Sequence, residues 1–294
     1  MPPGKPTEGW DVEVENGVIT INFYGVKAGW KHPVLLTSDV HFDNAHCNRD
    51  LYRSHLDWAL ERNAPVLDNG DFFCAMQGKW DKRKSEDAMR PEYRGGRYLD
   101  KLVDEASAFL MPYADIMAVM GYGNHETAML KHHETDLTDR LIYKMRSEGG
   151  SSVVKGRFAF WVIYKFWFGN GYTHATLRQF NHHGWGGGGP VTRGTIDTAR
   201  MAIYVPDADI VHTGHVHHAY EMPIERWRIS NQGKEFRDTQ IHIRTPGYKD
   251  EITGGNGWGV ERGMAPRPQG GHALEFYVTD AAAKQIGIRS WRMT

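Results

Sequence analysis

The stretch Ile116-Met117-Ala118-Val119-Met120-Gly121-Tyr122-Gly123-Asn124-His125-Glu126 decides how the chain is read. Its first five residues are apolar and uncharged, the mark of a short strand buried on both faces. The chain then turns on Gly121 and Gly123 and presents an amide, an imidazole and a carboxylate in succession. Strands that end in glycines and polar groups are how an α/β sheet brings chemistry to its carboxyl edge. Alone, Asn124-His125-Glu126 is equally a polar turn. Four further clusters of ligand-type residues surround it: Asp39-Val40-His41, Gly70-Asp71, His182-His183-Gly184 and Gly214-His215-Val216-His217.

Each cluster follows an apolar run. Residues 34–38 read as a buried strand that delivers Asp39 and His41, and 66–69 as one that ends at Gly70-Asp71. Residues 173–181 pair with 158–168 and run into His182-His183, while 209–213 end at Gly214-His215. Further strands are expected at 241–245 and 273–278. Helices are expected at 48–63, 97–110, 137–147 and 195–204, from apolar stripes such as Leu99, Leu102, Val103, Ala106 and Leu110. Pro112 ends the second of these. Strands and helices interleave, so the class is α/β. Near the start, Asn16-Gly17 between alternating runs at 11–15 and 18–24 predicts a hairpin. Residues 1–30 read as an N-terminal extension and 31–294 as one domain, with a basic insert at 76–97. The glycine- and proline-rich stretch 246–272 reads as a long loop able to reach the site.

The formal net charge of −1 supplies no global field toward nucleic acid or a membrane, so any such attraction is local. Two cysteines exclude a disulfide framework and point to a reducing compartment. The N-terminus, Met1-Pro2-Pro3-Gly4-Lys5-Pro6, has no secretory hydrophobic region. The run at 158–168 is broken by Lys165 and too short to span a bilayer. A soluble cytoplasmic protein is expected.

Aspartate, histidine and asparagine side chains suit borderline divalent ions such as manganese, iron, zinc or nickel. Asp39 and His41, two apart on an extended strand end, can face one ion. Asp71 can bridge two ions through its two oxygens, and the neutral amide of Asn124 coordinates without adding charge. His215 and His217 can serve one ion each. Singly these motifs are common: Gly70-Asp71 is an ordinary turn, and His215-x-His217 beside His212 and His218 is equally a surface cluster. Five in this order at strand ends are specific.

The series Asp-x-His, Gly-Asp, Gly-Asn-His-Glu, His-Gly, Gly-His-x-His resembles that of the calcineurin-like metallophosphoesterase superfamily, over residues 39–217. The resemblance implies a four-layer α/β/β/α sandwich of two mixed β-sheets with helices on both outer faces. It implies one ion held by Asp39, His41, Asp71 and His217, and a second by Asp71, Asn124, His183 and His215. His183 is preferred to His182 because the family's ligand directly precedes the glycine. His125 resembles the family's catalytic histidine, with Glu126 orienting it, and a metal-bridging hydroxide attacks phosphorus in line. The family's Gly-Asp-x-x-Asp ends here in Cys74, a small packed residue or an adventitious soft ligand.

The expected activity is that of a phosphoric ester hydrolase using two divalent ions, foremost Mn²⁺. The absence of arginine after Cys74 argues against the phosphoprotein phosphatases, and the insert and the Tyr248-Lys249-Asp250-Glu251 region look similar to phage-type phosphoesterases. Residues 79–101 carry eight Lys or Arg against five Asp or Glu, with Trp80, Tyr93 and Tyr98 interleaved, which suggests contact with nucleic acid. A phosphodiesterase or nuclease acting on nucleic acid or nucleotides is therefore favoured. A phosphomonoesterase, a phosphoprotein phosphatase or a non-catalytic scaffold are the alternatives. For the substrate, the backbone of Gly186 and Gly187 can form a phosphate nest and Arg193 a bidentate contact. A solvated glycine loop explains them equally well. No membrane or protein partner is indicated.

Overall fold

The computed structural model describes residues 7–75, 89–93, 96–169, 173–187, 189, 191–192, 194–250, 252, 260, 263 and 265–294. Among them are thirteen strands and five α-helices, divided between two mixed sheets.

The first sheet contains β3 (Lys31–Thr37), β4 (Val66–Asp68), β5 (Met117–Met120), β6 (Val154–Lys155), β12 (His272–Asp280) and β13 (Gln285–Arg292), ordered β13-β12-β3-β4-β5-β6. From β3 to β6 the strands are parallel, and β12 and β13 close one side antiparallel. The second contains β1 (Gly9–Glu15), β2 (Val18–Val26), β7 (Ala159–Phe168), β8 (Thr173–His182), β9 (Ile210–Thr213), β10 (Tyr220–Ile229) and β11 (Glu235–Arg244), ordered β1-β2-β7-β8-β9-β11-β10. Asn16-Gly17 joins β1 to β2, and β2 then pairs parallel with β7.

Three apolar cores separate four layers. Helices α1 (Arg49–Glu61), α2 (Tyr98–Leu110) and α4 (Leu137–Gly149) cover the first sheet through Leu56, Val103, Leu141 and their neighbours. Between the sheets lie Val34, Leu36, Ile21, Phe166, Ile243 and Phe276. Helix α5 (Thr195–Tyr204) covers the second sheet through Met201, with Val205, Ala208 and Val211. The layers are those of the expected α/β/β/α sandwich. The alternation of β7 explains its odd composition: Phe160, Val162, Tyr164, Phe166 and Phe168 point inward, so Lys165 falls on the other face. The strand is amphipathic, not a broken apolar run. In β3, Leu35 faces the helices while Val34 and Leu36 face the other sheet, which is why its sequence is continuously apolar.

Four elements depart from the sequence reading, the two-residue strand β6 among them. Asn124-His125-Glu126 is not a turn but the first turn of α3 (Asn124–His133). Strands β10 and β13 were not anticipated. Both are sheet edges in which apolar and charged residues alternate, and β10 contains Pro223, which an edge strand tolerates because it owes no ladder donor on its open side. Among the described residues no helix is long and apolar enough to cross a membrane.

Candidate metal centre

The carboxyl ends of five strands, three from the first sheet and two from the second, meet at one place. After β3 and β4 the chain keeps pairing beyond the strands: Asp39 N–H donates to Gly70 O (2.9 Å), His41 N–H to Asp71 O (3.0 Å) and Phe42 N–H to Phe72 O (2.8 Å). The backbone there is unusual. Asp39, His41, Asp71, His215 and His217 have φ of 52°, 50°, 52°, 70° and 51°, the left-handed region that non-glycine residues seldom enter. Each such residue costs about 1–2 kcal/mol, and a cluster of them marks a place where side-chain direction is set against local preference.

Two loops cross at closest approach through glycines. A Cβ on Gly70 would collide with the Tyr122–Gly123 peptide, and one on Gly123 with the Asp71 carboxylate. Only glycine lets the β4 end and the α3 start lie against each other. Glu126 ties the crossing, accepting the Asp71 and Gly123 amides at Oε2 (3.0 and 2.8 Å) and the Phe73 amide at Oε1 (3.0 Å). This corrects the role expected of Glu126. Its carboxylate holds the backbone rather than His125, because its α3 position faces back onto the loop. Burial first, and then the Asp71 charge, push its pKa up to about 8.

The residues expected to be ligands fall into two adjoining groups. The ligand atoms of Asp39, His41 and His217 lie within 4.8 Å of one another, and so do those of Asp71, His183 and His215. His41 Nε2 and His217 Nε2 are 3.3 Å apart, and His217 Nε2 is 3.3 Å from Asp39 Oδ1. His183 Nε2 is 3.1 Å from Asp71 Oδ2 and 4.0 Å from Asp39 Oδ1. Burial opposes the His183 imidazolium, but the Asp71 and Asp39 carboxylates outweigh it and push its pKa up to about 10. Burial likewise opposes the Asp39 anion, and His217 and His183 overcome it and hold that carboxyl well below its usual range.

Whether these residues fit ions is tested by their unmet polar atoms. Asn124 Oδ1 is buried without a hydrogen-bond partner, and the buried Asp39 Oδ1 and His183 Nε2 form no well-aligned hydrogen bond, facing His217 Nε2 at 3.3 Å and Asp71 Oδ2 at 3.1 Å as ion-pair neighbours. Their other polar atoms are engaged where it matters: Asp39 Oδ2 accepts from Ser38 Oγ (2.5 Å) and the His215 amide (2.8 Å), and His183 Nδ1–H donates to Asn69 O (2.9 Å). Such orphans are costly unless something else completes them. The donor set of carboxylate, imidazole and amide suits borderline divalent ions. The residues fit.

His182, passed over in favour of His183, turns aside: its Nδ1 accepts the Gly184 amide at 2.9 Å. His125 Nδ1–H donates to Cys74 O (2.6 Å), so its Nε2 is the atom turned to the site, 3.8 Å from Asp71 Oδ2. Cys74 is buried and its thiol pKa is pushed up to about 12 by burial and then by Asp43. Its sulfur nonetheless lies within 4.8 Å of ring nitrogens of His41 and His125.

Of the expected substrate contacts, Gly186 turns its carbonyl to His215 Nε2 (3.1 Å), and Gly187 is exposed beside it. Arg193 lies outside the described residues, as do 76–88 and 94–95 of the insert. Two of the insert's aromatics are not free to stack on bases. Tyr93 is 1% exposed with its hydroxyl on Arg49, and Tyr98 donates to Asp43.

Sequence reasoning missed the support behind the site. A chain of buried polar groups runs from the core to Asp39. Tyr164 donates to Gln179 (2.9 Å) and Gln179 to Asn181 (2.7 Å), His212 spans Asn181 and Thr245 (3.2 Å each), and Thr245 meets Ser38 (2.6 Å). Asn181, His212 and Ser38 occupy the ends of β8, β9 and β3, where a polar residue in an apolar strand was the available signal. The loop after β11 does reach the site: the Tyr248 amide donates to Asp39 O at 3.0 Å.

No family model and no curated protein matches the chain. Among solved structures it is similar to Vps29 from Entamoeba histolytica, a crystal structure with Zn²⁺, at 13% identity over 89% of this chain and 99% of that one, with a TM-score of 0.35. It is also similar to a predicted phosphoesterase from Streptococcus pneumoniae, at 10% identity over 90% and 99%, with a TM-score of 0.31. Likenesses of that size carry no argument about the site. The four-layer fold is nonetheless the one that the resemblance to the calcineurin-like metallophosphoesterases implies.

Proposed function

We propose that the chain is a metal-dependent phosphoesterase with two divalent ions, Mn²⁺ foremost, and that it acts on phosphodiesters of nucleic acid or nucleotides. One observation carries the reading: two adjoining groups of three ligand-type side chains, all buried but the half-buried His215, with the buried Asn124 Oδ1 left without a hydrogen-bond partner beside them in the chain. Asp39, His41, Asp71 and His217 would hold one ion, and Asp71, Asn124, His183 and His215 the other. Bound ions supply a water acidic enough to ionise near neutral pH and charge to match the phosphoryl oxygens.

The chain's own residues do the rest. Asp71 belongs to the group of His183 and His215, with Oδ1 fixed by the His125 amide (2.9 Å) and Oδ2 turned to His183. His125, held through Nδ1, directs Nε2 at the site, where its protonated form can donate to the departing oxygen. The α3 N-terminus adds positive potential behind it. The nucleic-acid preference rests on the insert charges, chiefly Lys82, Arg83 and Lys84 beside Trp80.

The test is a screen of manganese-loaded protein on bis-p-nitrophenyl phosphate, p-nitrophenyl phosphate, and single- and double-stranded DNA. Hydrolysis of the diester and DNA over the monoester is expected. Neutralising Lys82, Arg83 and Lys84 should raise KM for DNA alone, and an unchanged KM removes the nucleic-acid preference in favour of a small phosphoester.

A further inference from the structure

We infer that Asp43 is a positioning residue for His125, acting through the peptide group that joins Cys74 to Ala75. The inference rests on the reading of His125 as the proton donor and names what holds it in that role.

Asp43 is 3% exposed and lies two residues past His41 on the loop after β3. Its Oδ1 accepts the Cys74 amide at 2.6 Å, and its Oδ2 accepts the Ala75 amide and the Tyr98 hydroxyl, each at 2.9 Å. The Ala75 N–H and the Cys74 carbonyl are the two ends of one planar peptide. The carbonyl end accepts His125 Nδ1–H at 2.6 Å. The order is thus carboxylate, amide hydrogen, carbonyl oxygen, imidazole hydrogen, in one line of contacts.

Two consequences follow from the charge at its far end. A charge-assisted bond to the N–H polarises the peptide and makes its carbonyl a better acceptor. His125 is thereby kept as the Nδ1–H tautomer, with Nε2 free to face the site. The second is steric. Ala75 has φ of 48°, a left-handed conformation that a β-carbon resists, and the two amide bonds to Asp43 hold it there. Without them the turn can relax and rotate the carbonyl away from His125. Cys74 occupies the position where the motif resemblance expects a carboxylate. Here the negative charge stands one peptide farther back.

The experiment is a double-mutant cycle on diphenyl phosphate, whose departing phenolate is a poor leaving group, with Asp43→Asn and His125→Ala singly and together in the manganese-loaded protein. It is joined to imidazole ¹⁵N shifts of the metal-free full-length protein at mildly alkaline pH, with the His125 signals assigned by their loss in His125→Ala. Asp43→Asn should lower the rate by about 10–100-fold, the size seen when the partner behind a functional group is lost. It should add nothing in the His125→Ala background, keep the wild-type metal content, and move His125 toward the Nε2–H tautomer. An unchanged tautomer, or a loss that adds to that of His125→Ala, overturns the proposal, since a merely structural residue would act in both backgrounds. If Asp43→Asn does not fold, Tyr98→Phe loosens the same carboxylate, leaves its charge, and should give both effects more weakly. Should His125→Ala itself leave the diphenyl phosphate rate intact, the proton-donor reading fails, while the tautomer shift still reports whether Asp43 holds the ring.

Discussion

Asp71 has one oxygen fixed by the α3 backbone and the other beside His183, and the proposed reading gives it to both ions. Asp71→Asn should therefore lower the content of both ions together, read by elemental analysis after manganese reconstitution, and intact content of either would deny it a bridging place. His125→Ala should keep both ions and lose about 10²–10⁴ in rate on poor leaving groups, with a smaller loss on nitrophenyl esters. An equal loss on both would assign His125 to charge stabilisation instead. A third residue contributes through pH. Asp68 is fully buried, and burial pushes its pKa from the ordinary carboxylate range up to about 7, despite hydrogen bonds from Thr37 and the Gly70 amide. The folded state then holds a proton that the unfolded chain has lost, so this contribution is present at pH 4 and disappears as pH rises through 7. Asp68→Asn keeps both contacts if the Thr37 hydroxyl reverses, and should flatten the fall in stability of metal-free protein over that range. A denaturation series against pH that leaves the slope unchanged would contradict this. At this scale the candidate ligand clusters were legible because few residue types bind divalent ions. Asp43, Ser38 and Thr245 were not, since an ordinary Asp, Ser or Thr gains its role only from what lies across the fold.

The strands and helices were legible where packing imposes a period. Helices α1, α2, α4 and α5 show apolar stripes, and β3 and β5 show continuous apolar runs, because a buried parallel strand has no wet face. Strand β10 was hidden because its open edge admits charge and a proline, and α3 because its first turn is spent on functional polar groups. What no period reveals is the crossing of the β4 and α3 loops. Gly123→Ala should show its weight. The backbone there, φ −108°, accepts alanine, but the new Cβ would meet the Asp71 carboxylate. A loss of about 1–3 kcal/mol from overpacking is expected, together with weaker ion binding. Gly96→Ala, where a Cβ meets nothing within 4 Å, is the control. Equal stability and metal content in the two variants would mean that the crossing is looser than described.

Over the whole molecule, ligand-type side chains from both sheets converge on one centre, so ions bound there would stabilise the sandwich by mass action. Their binding is linked to protons. His183, with its pKa near 10, holds a proton that an ion must displace, so affinity should rise by roughly tenfold per pH unit below that value. The α/β class followed from element order and the four layers from the family resemblance, whereas the polar chain from Tyr164 to Asp39 joins residues of five strands and loops and has no local trace. The most direct test of the central claim is the rate of bis-p-nitrophenyl phosphate hydrolysis by metal-free protein as Mn²⁺ is added, plotted against ions bound per chain. The account predicts no hydrolysis without the ion and a rate that saturates at two ions per chain. Hydrolysis that survives chelation, or a rate that saturates at one, would contradict it.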